Sequence, residues 1–174
     1  GQSYLQIVDR IVIVVAITGA LIRLGNYFNS EIIGLPTDKA YGVVFVNKFT
    51  ESIEDSRVDR EGIVESVAYK ANDSLPKGSN GRVPINIYVF FKKGTSETQA
   101  NNFSSFTARN ILSNTLYEYF DAAGENTRIT VTPQDDDTLA ARISTFGIAR
   151  HPAQLYESIA CVILFVFLFW LWSM

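Results

Sequence analysis

Apolar residues are concentrated at the two ends of the chain, and polar residues occupy the middle. Residues 4–24 and 155–174 are almost wholly apolar, whereas most of the charged side chains lie between residues 46 and 146. A helix that crosses a membrane needs about 20 predominantly apolar residues. The pattern therefore predicts a membrane protein with two α-helical spans, the first over residues 4–28 and the second within residues 149–174.

The polar middle of the chain carries the patterns of a small α+β domain. Hydrophobic and polar residues alternate most clearly over residues 83–91, as they do in a half-buried strand. Further strands are predicted over residues 41–46, 63–70, 128–132 and 138–148. Short strands around one helical stretch indicate an antiparallel sheet packed against a helix.

The helical stretch of this domain begins at a recognisable cap. Ser96 and Gln99 have the spacing of a capping box, which opens a helix. Apolar residues then recur at helical spacing, and a glycine follows as the predicted end of the helix: Leu112, Leu116, Tyr119, Phe120, Ala123 and Gly124. The predicted organisation is a first transmembrane helix with its following loop over residues 1–40, an inserted extramembrane domain over 41–148, and a second transmembrane helix over 149–174.

Composition excludes several classes of function. The net charge is −3 and no basic stripe is present, which argues against a nucleic-acid partner. One cysteine and one histidine are too few for an internal disulfide or a structural zinc site, and no cofactor is indicated.

Cys161 is predicted to be a buried structural thiol of the second span. The absence of an initiator methionine and the apolar end at Met174 lead us to expect a piece of a longer protein that forms a larger helical bundle.

Polar residues interrupt the apolar pattern directly after the first span. Arg23, Asn26 and Asn29 are three residues apart and share one face if the helix continues toward Gly34, and Glu31 lies beside them. Ionisable groups at membrane depth are costly and usually mark a functional site. The alternative for Arg23 is snorkelling, in which the side chain extends its charge into the headgroup layer.

A second polar cluster introduces the second span, with the sequence Arg-His-Pro-Ala-Gln-Leu-Tyr-Glu at residues 150–157. Two arginines, Arg23 and Arg150, near one membrane face suit the phosphate of a phospholipid headgroup, because guanidinium groups bind phosphate in bidentate fashion. His151 is either an acid–base group or a helix cap bonded to a carbonyl. Tyr156 is either a ligand or an interfacial anchor, and Gln154 and Glu157 complete the cluster.

Both clusters resemble sequence blocks of the bacterial prolipoprotein diacylglyceryl transferase family. Residues 23–34, Arg-Leu-Gly-Asn-Tyr-Phe-Asn-Ser-Glu-Ile-Ile-Gly, are similar to the family signature. The blocks at residues 35–38, 41–45 and 150–157 follow in the family's order. The resemblance implies a multi-pass enzyme of the bacterial inner membrane, with the inserted domain on the periplasmic side. Its reaction, the first step of lipoprotein maturation, moves the diacylglyceryl group of phosphatidylglycerol to the lipobox cysteine of a prolipoprotein.

The resemblance also implies the site residues. Arg23 and Glu31 are expected to be catalytic, and the expected substrate-binding residues are Arg23, Asn26, Asn29, Gly34, Arg150, His151, Gln154, Tyr156 and Glu157. Gly34 is expected to permit a turn or a close backbone approach. The sequence departs from the family where Ile22 replaces a glycine and Tyr27 a phenylalanine. The family's essential histidine and a further essential arginine lie in segments outside this sequence, so we expect the chain alone to be inactive.

Two other functions fit the same pattern of apolar ends and a polar middle. One is a non-catalytic, membrane-tethered binding or sensor module, in which the inserted domain recognises a partner. The other is part of a transporter, in which charges at membrane depth mark a substrate path. If the transferase interpretation holds, the inserted domain is expected to guide prolipoproteins toward the site.

Overall fold

The chain forms two compact units. A computed structural model describes residues 4–55, 58–122, 127–134 and 137–174. The first unit, here called the helical unit, contains Gly1–Leu35 and His151–Met174. The second, here called the sheet unit, is the intervening segment Pro36–Arg150. Each unit is built around its own set of contacts.

The helical unit consists of two long helices, α1 over Tyr4–Phe28 and α4 over Ala153–Ser173. Both are long and apolar enough to cross a membrane, as the sequence pattern predicts. Small residues of α1 line their contact: a Cβ built on Gly19 would lie 3.5 Å from Cys161 Sγ. Cys161 is half-buried there, less enclosed than predicted.

The C-terminal end of α1 differs from the prediction. The helix ends at Phe28, and Ser30 follows in a left-handed conformation with φ 54°. The Glu31 amide donates to Asn26 O at 2.9 Å, and the Ser30 amide donates to Tyr27 O at 3.1 Å. These two bonds form a Schellman motif, which satisfies the last carbonyl groups of a helix. Asn29 is therefore the C-cap residue, whose amide still donates to Gly25 O at 3.0 Å, and the predicted continuation of the helix toward Gly34 is wrong.

The described residues of the sheet unit form six antiparallel strands: β1 Val43–Val44, β2 Val64–Ala71, β3 Arg82–Phe91, β4 Phe120–Asp121, β5 Arg128–Pro133 and β6 Leu139–Arg150. β6 is the organising strand. One of its edges pairs with β3, which pairs in turn with β2, and its other edge pairs with β5, β4 and β1. The predicted antiparallel α+β fold of this region is confirmed.

One face of the sheet is covered by helices, and the core lies between them. The alternation in β3 buries Ile85, Ile87, Val89 and Phe91, as predicted, while Ile143 of β6 is buried beside them. The covering elements are α2 over Asn47–Glu54, α3 over Glu97–Asn102, and π-helical turns over Phe103–Ala108 and Ile111–Thr115. Their buried side chains include Phe49, Ile53, Phe103, Ile111 and Leu112.

Two predicted elements of the sheet unit require correction. Only Val43–Val44 of the predicted strand at residues 41–46 pairs, and α2, which was not predicted, begins three residues later. The capping box at Ser96 is confirmed, but the helical turns end at Thr115. Phe120 instead pairs with Gly147 in a strand and buries its ring from there. Ala123 and Gly124, the predicted end of the helix, lie outside the described residues.

The other predicted strands agree with the structure. Those over residues 63–70, 83–91 and 128–132 are confirmed to within a residue, as β2, β3 and β5. The strand predicted over 138–148 is β6, which continues to Arg150. β6 therefore includes the arginine that begins the second polar cluster.

Candidate functional site

A polar seam joins α1 to α4 near the ends of both helices that adjoin the sheet unit in sequence. Arg23 Nε lies 2.6 Å from Glu157 Oε2, and Ser158 Oγ donates to Ala20 O at 2.9 Å. Gln154 precedes Ser158 by four residues, so these side chains lie on one side of α4. The seam is defined here as Arg23, Gln154, Glu157 and Ser158.

Gln154 is the buried member of the seam, with 1% of its surface exposed. Its Nε2 donates to the backbone carbonyl of Glu31. Its Oε1 is buried and has no hydrogen-bond partner among the described residues. The side chain therefore fixes the loop after α1 to the first turn of α4. A buried amide oxygen without a donor is unusual, because such groups are normally paired.

The same loop is held by two backbone hydrogen bonds. The Gly34 amide donates to His151 O at 3.2 Å, and the His151 amide donates to Leu35 O at 2.9 Å. A Cβ built on Gly34 would collide with the His151 carbonyl oxygen. The predicted close backbone approach at Gly34 is confirmed. Residues 29–35 are thus attached to the start of α4 by backbone as well as side-chain contacts.

His151 pairs with Tyr156 beside this bridge. His151 Nδ1 and Tyr156 Oη lie 3.2 Å apart, and the two rings meet edge to face with centroids 6.1 Å apart. The His151 ring therefore contacts the phenol of Tyr156 in the first turn of α4. The tautomer of the ring decides which atom donates, since a neutral imidazole has one donor and one acceptor nitrogen.

The remaining candidates divide between the two units. Asn26 is half-buried, whereas Asn29 and Glu31 are exposed. The Glu31 carboxylate makes no ion pair within the described part of the chain. Arg150 ends strand β6 of the sheet unit, where its Nε donates to Glu118 O at 2.7 Å. The helical unit therefore contains every sequence-predicted site residue except Arg150, and the contacts described above join Arg23 to Glu157, the Glu31 backbone to Gln154, and Gly34 to His151.

The sequence pattern did not identify two residues of this region, Ser158 and Ser30. Ser158 was not singled out, although a hydroxyl four residues after Gln154 on an apolar helix is a detectable signal. Ser30 forms the left-handed end of α1. Glycine usually takes this position, so a serine there does not mark the end of the helix in the sequence. Among the described residues no cluster of three histidine, cysteine or carboxylate side chains is placed to hold a metal ion.

Comparisons with known proteins give one consistent result. Over 44 residues, a quarter of this chain, it is 57% identical to a phosphatidylglycerol–prolipoprotein diacylglyceryl transferase of Tolumonas auensis and 50% identical to one of Chloroherpeton thalassium. Over 43 residues it is 44% identical to one of Protochlamydia amoebophila. The matches span 17%, 16% and 12% of these relatives' own lengths. No solved structure matches the chain.

The family model for prolipoprotein diacylglyceryl transferases matches residues 1–174, the whole of this sequence. The match therefore includes both polar clusters and the sheet unit between them. This chain belongs to the prolipoprotein diacylglyceryl transferase family.

Proposed function

We propose that the helical unit forms one wall of a phosphatidylglycerol site in a diacylglyceryl transferase. The acceptor is the lipobox cysteine thiol of a prolipoprotein. The enzyme acts in the bacterial inner membrane as a multi-pass protein, with the sheet unit on the periplasmic side. Support comes from the family match, from the names of the relatives, and from two helices of membrane-crossing length and composition.

The reaction places clear demands on such a site. The cysteine sulfur forms a bond to the terminal glyceryl carbon of the lipid as the bond from that carbon to the phosphate oxygen breaks. The thiol proton passes to a base, and glycerol phosphate leaves as an anion. Since a thiol with a pKa near 8.5 is mostly protonated at neutral pH, the sulfur has to be deprotonated as it attacks. A fixed cation beside the leaving phosphate stabilises the charge that develops there.

Arg23 supplies that cation, and its contact with Glu157 is the observation that carries the proposal. Glu157 Oε2 lies 2.6 Å from Nε of the Arg23 guanidinium. This contact fixes the plane of the group, and the two terminal nitrogens form the fork that binds phosphate oxygens. The Arg23 side chain is 36% exposed, so a lipid headgroup has access to it. Glu157 acts here as a positioning residue for Arg23.

The loop after α1 presents the other proposed groups. Glu31 is proposed as a catalytic carboxylate, and its backbone carbonyl is fixed by Gln154. Asn26, in the last turn of α1, and Asn29 and Gly34, from the loop, are proposed to contact the substrate. From the second cluster, Arg150, His151, Gln154, Tyr156 and Glu157 are proposed to assist binding. The sheet unit is proposed to guide prolipoproteins, because it lies between the two blocks in the sequence.

The decisive experiment compares Arg23→Lys with Arg128→Lys in the full-length protein. Both changes keep the charge and remove the guanidinium fork, but Arg128 is an exposed residue of β5. We expect Arg23→Lys to lower the rate of diacylglyceryl transfer to a lipobox peptide by about 100-fold or more, as for loss of one oxyanion-stabilising group. Arg128→Lys should leave the rate unchanged.

Glu157→Gln tests the positioning role. The amide oxygen still accepts a hydrogen bond from Nε, so we expect a smaller loss, about tenfold, mainly in kcat, because the guanidinium is less firmly oriented. Normal transfer by Arg23→Lys would contradict the proposed role of the guanidinium. Absence of transfer by the unchanged full-length protein would instead favour a non-catalytic binding module.

A further inference from the structure

The sheet has a second face, opposite the core, that none of the described helices of the sheet unit covers. Cross-strand pairing identifies its members. Ala68, Tyr88, Arg142 and Thr130 are paired in one row across β2, β3, β6 and β5. The next row contains Lys70, Asn86, Ser144 and Arg128. Directly paired residues point to the same side of a sheet, and Ser144 Oγ donates to Asn86 Oδ1 at 2.7 Å. These two rows and the adjoining row of Ser66, Phe90, Ala140 and Thr132 define the outer face.

The outer face carries an excess of positive charge, although the whole chain has a net charge of −3. Lys70, Arg128 and Arg142 are exposed, and none of them forms an ion pair with another described residue. At the β4 end of the same face, Asp121 is neutralised by Arg82, whose Nε lies 2.5 Å from Oδ2. Glu65 lies in the bulge of β2 and lines a separate groove beside α2.

The spacing of the cations indicates the kind of ligand. Lys70 and Arg128 stand at opposite ends of a row that crosses four strands. Neighbouring strands are about 4.8 Å apart, so the backbone positions of these two residues are separated by roughly 14 Å. Cations this far apart do not converge on a single phosphate. They match an extended array of negative charges.

Aromatic side chains accompany the cations. Tyr88 and Phe90 are half-buried on the outer face, where they line a shallow cavity of about 350 Å³ together with Thr130, Thr132 and Arg142. Aromatic and basic residues together are characteristic of surfaces that lie at the interface between a membrane and water. This composition favours a lipid headgroup layer over a purely polar acidic chain.

We propose that the outer face of the sheet docks on the headgroup surface of an anionic bilayer. The sheet unit is continuous with the helical unit through the Leu35–Pro36 and Arg150–His151 peptide bonds, and the helices beyond are suited to a membrane. Such short connections give the bilayer a high effective concentration at the sheet unit. Three cations, each of which contributes only weakly to membrane binding, then suffice for docking. The proposal needs a bilayer around the helices but does not depend on the transferase reaction.

The test measures how close the outer face lies to lipid headgroups. In a Cys161→Ser background, the full chain carries a fluorescent dye on Ala68→Cys, an exposed site of the outer face. A second preparation carries the dye on Phe106→Cys, which is 72% exposed on the helical layer that covers the opposite face. Both are placed in nanodiscs that contain lipids with a nitroxide headgroup, which quenches the dye at short range.

We expect stronger quenching at position 68 than at position 106 in phosphatidylglycerol nanodiscs, and no such difference in phosphatidylcholine. Raising the salt from 0.1 to about 1 M should remove the difference, since the Debye length falls to about 3 Å. The triple change Lys70→Glu, Arg128→Glu and Arg142→Glu should lower the ratio of docked to undocked protein at least roughly tenfold. The matched triple change Lys39→Glu, Lys77→Glu and Lys93→Glu, at exposed lysines outside the outer face, should preserve docking.

Two results would overturn the proposal. The first is equal quenching at position 68 in both lipids, and the second is equal loss of quenching in the two triple variants. If the first result is found and soluble polyglutamate binds the outer face, this face is a site for acidic polypeptides instead. Circular dichroism checks that each variant is folded, and glutamine at the same three positions replaces glutamate if charge reversal unfolds the sheet.

Discussion

The two units of this chain bury opposite kinds of side chain. The sheet unit encloses large apolar residues such as Phe49, Phe91 and Leu112 and exposes most of its charges. In the helical unit the buried apolar residues are small, Ala16 and Ala20, among those the structure describes, and the polar Ser30 and Gln154 are buried beside them. Large apolar side chains of α4, including Phe167 and Ile163, are at least half exposed.

This inversion shows which interactions hold each unit together. In water, removing a large apolar side chain from solvent is the main driving force for folding. In lipid that force between helices is absent, and association depends on close packing of small residues and on hydrogen bonds between helices. The contact of α1 with α4 has these features: Gly19 and Ala20 allow close approach, and Ser158 and Gln154 bond to backbone carbonyl groups.

The largest expected effect tests this difference by removing one phenylalanine from each unit. Phe91 is fully buried and meets Phe103 edge to face, so Phe91→Ala should destabilise the sheet unit by about 3–5 kcal/mol through lost burial and a cavity. Phe167→Ala in α4 should cost less than about 1 kcal/mol, because this side chain is 52% exposed. Denaturant unfolding of the full chain in detergent, followed by far-ultraviolet circular dichroism, measures both. Equal losses of unfolding free energy in Phe91→Ala and Phe167→Ala would contradict this difference between the two units.

A smaller effect is expected from two glycines of the helical unit. Gly34→Ala places a methyl group against the His151 carbonyl oxygen and should destabilise the loop attachment by about 1–3 kcal/mol. Gly25 lies within α1, and a methyl group added there would have no neighbouring atom within 4 Å, so Gly25→Ala should stabilise the helix by up to about 1 kcal/mol. Both tryptophans lie in α4, and their fluorescence reports unfolding of this unit. A destabilised Gly25→Ala variant would show that the steric explanation is wrong.

The smallest expected effect is on the stability of the sheet unit and comes from removing one side-chain hydrogen bond. Tyr69 Oη lies 2.6 Å from Thr50 Oγ1 and links β2 to α2, so Tyr69→Phe should cost about 1 kcal/mol at neutral pH. Burial raises the pKa of the Tyr69 phenol, an effect that the Thr50 hydrogen bond only partly offsets. The unfolded chain, whose phenols titrate near about 10, therefore loses this proton first, and the stability of the sheet unit falls as pH rises above that value.

Tyr69→Phe should consequently make the alkaline loss of stability shallower. Burial also raises the pKa of Tyr119, so part of the slope remains. Tyr117→Phe, at a 63% exposed position, controls for the loss of a phenol in general. Unfolding measured between pH 7 and pH 11 provides the test, and an unchanged alkaline slope in Tyr69→Phe would rule out a contribution from this residue.

The sequence by itself determined those features that depend on neighbouring residues. The two apolar helices, the alternating strand β3 and the capping box at Ser96 all follow from local periodicity or from spacing within one turn. The order of motif blocks also identified the family, and the absence of a side chain at Gly34 predicted a close backbone approach. Each of these signals can be read along the chain itself, either within a few residues or as the order of the motif blocks, so no knowledge of the three-dimensional structure was needed.

Only the tertiary structure decided the contacts between distant parts of the chain. The helical spacing that continued past Leu116 was misleading, because Phe120 reaches the same core from a strand paired with Gly147. The pairing of Arg23 with Glu157, and of Gln154 with the Glu31 carbonyl, joins residues more than a hundred positions apart. Arg150 and His151 are adjacent in sequence but belong to different units. Periodicity reports which face of an element is apolar, and it carries no information about which distant group meets that face.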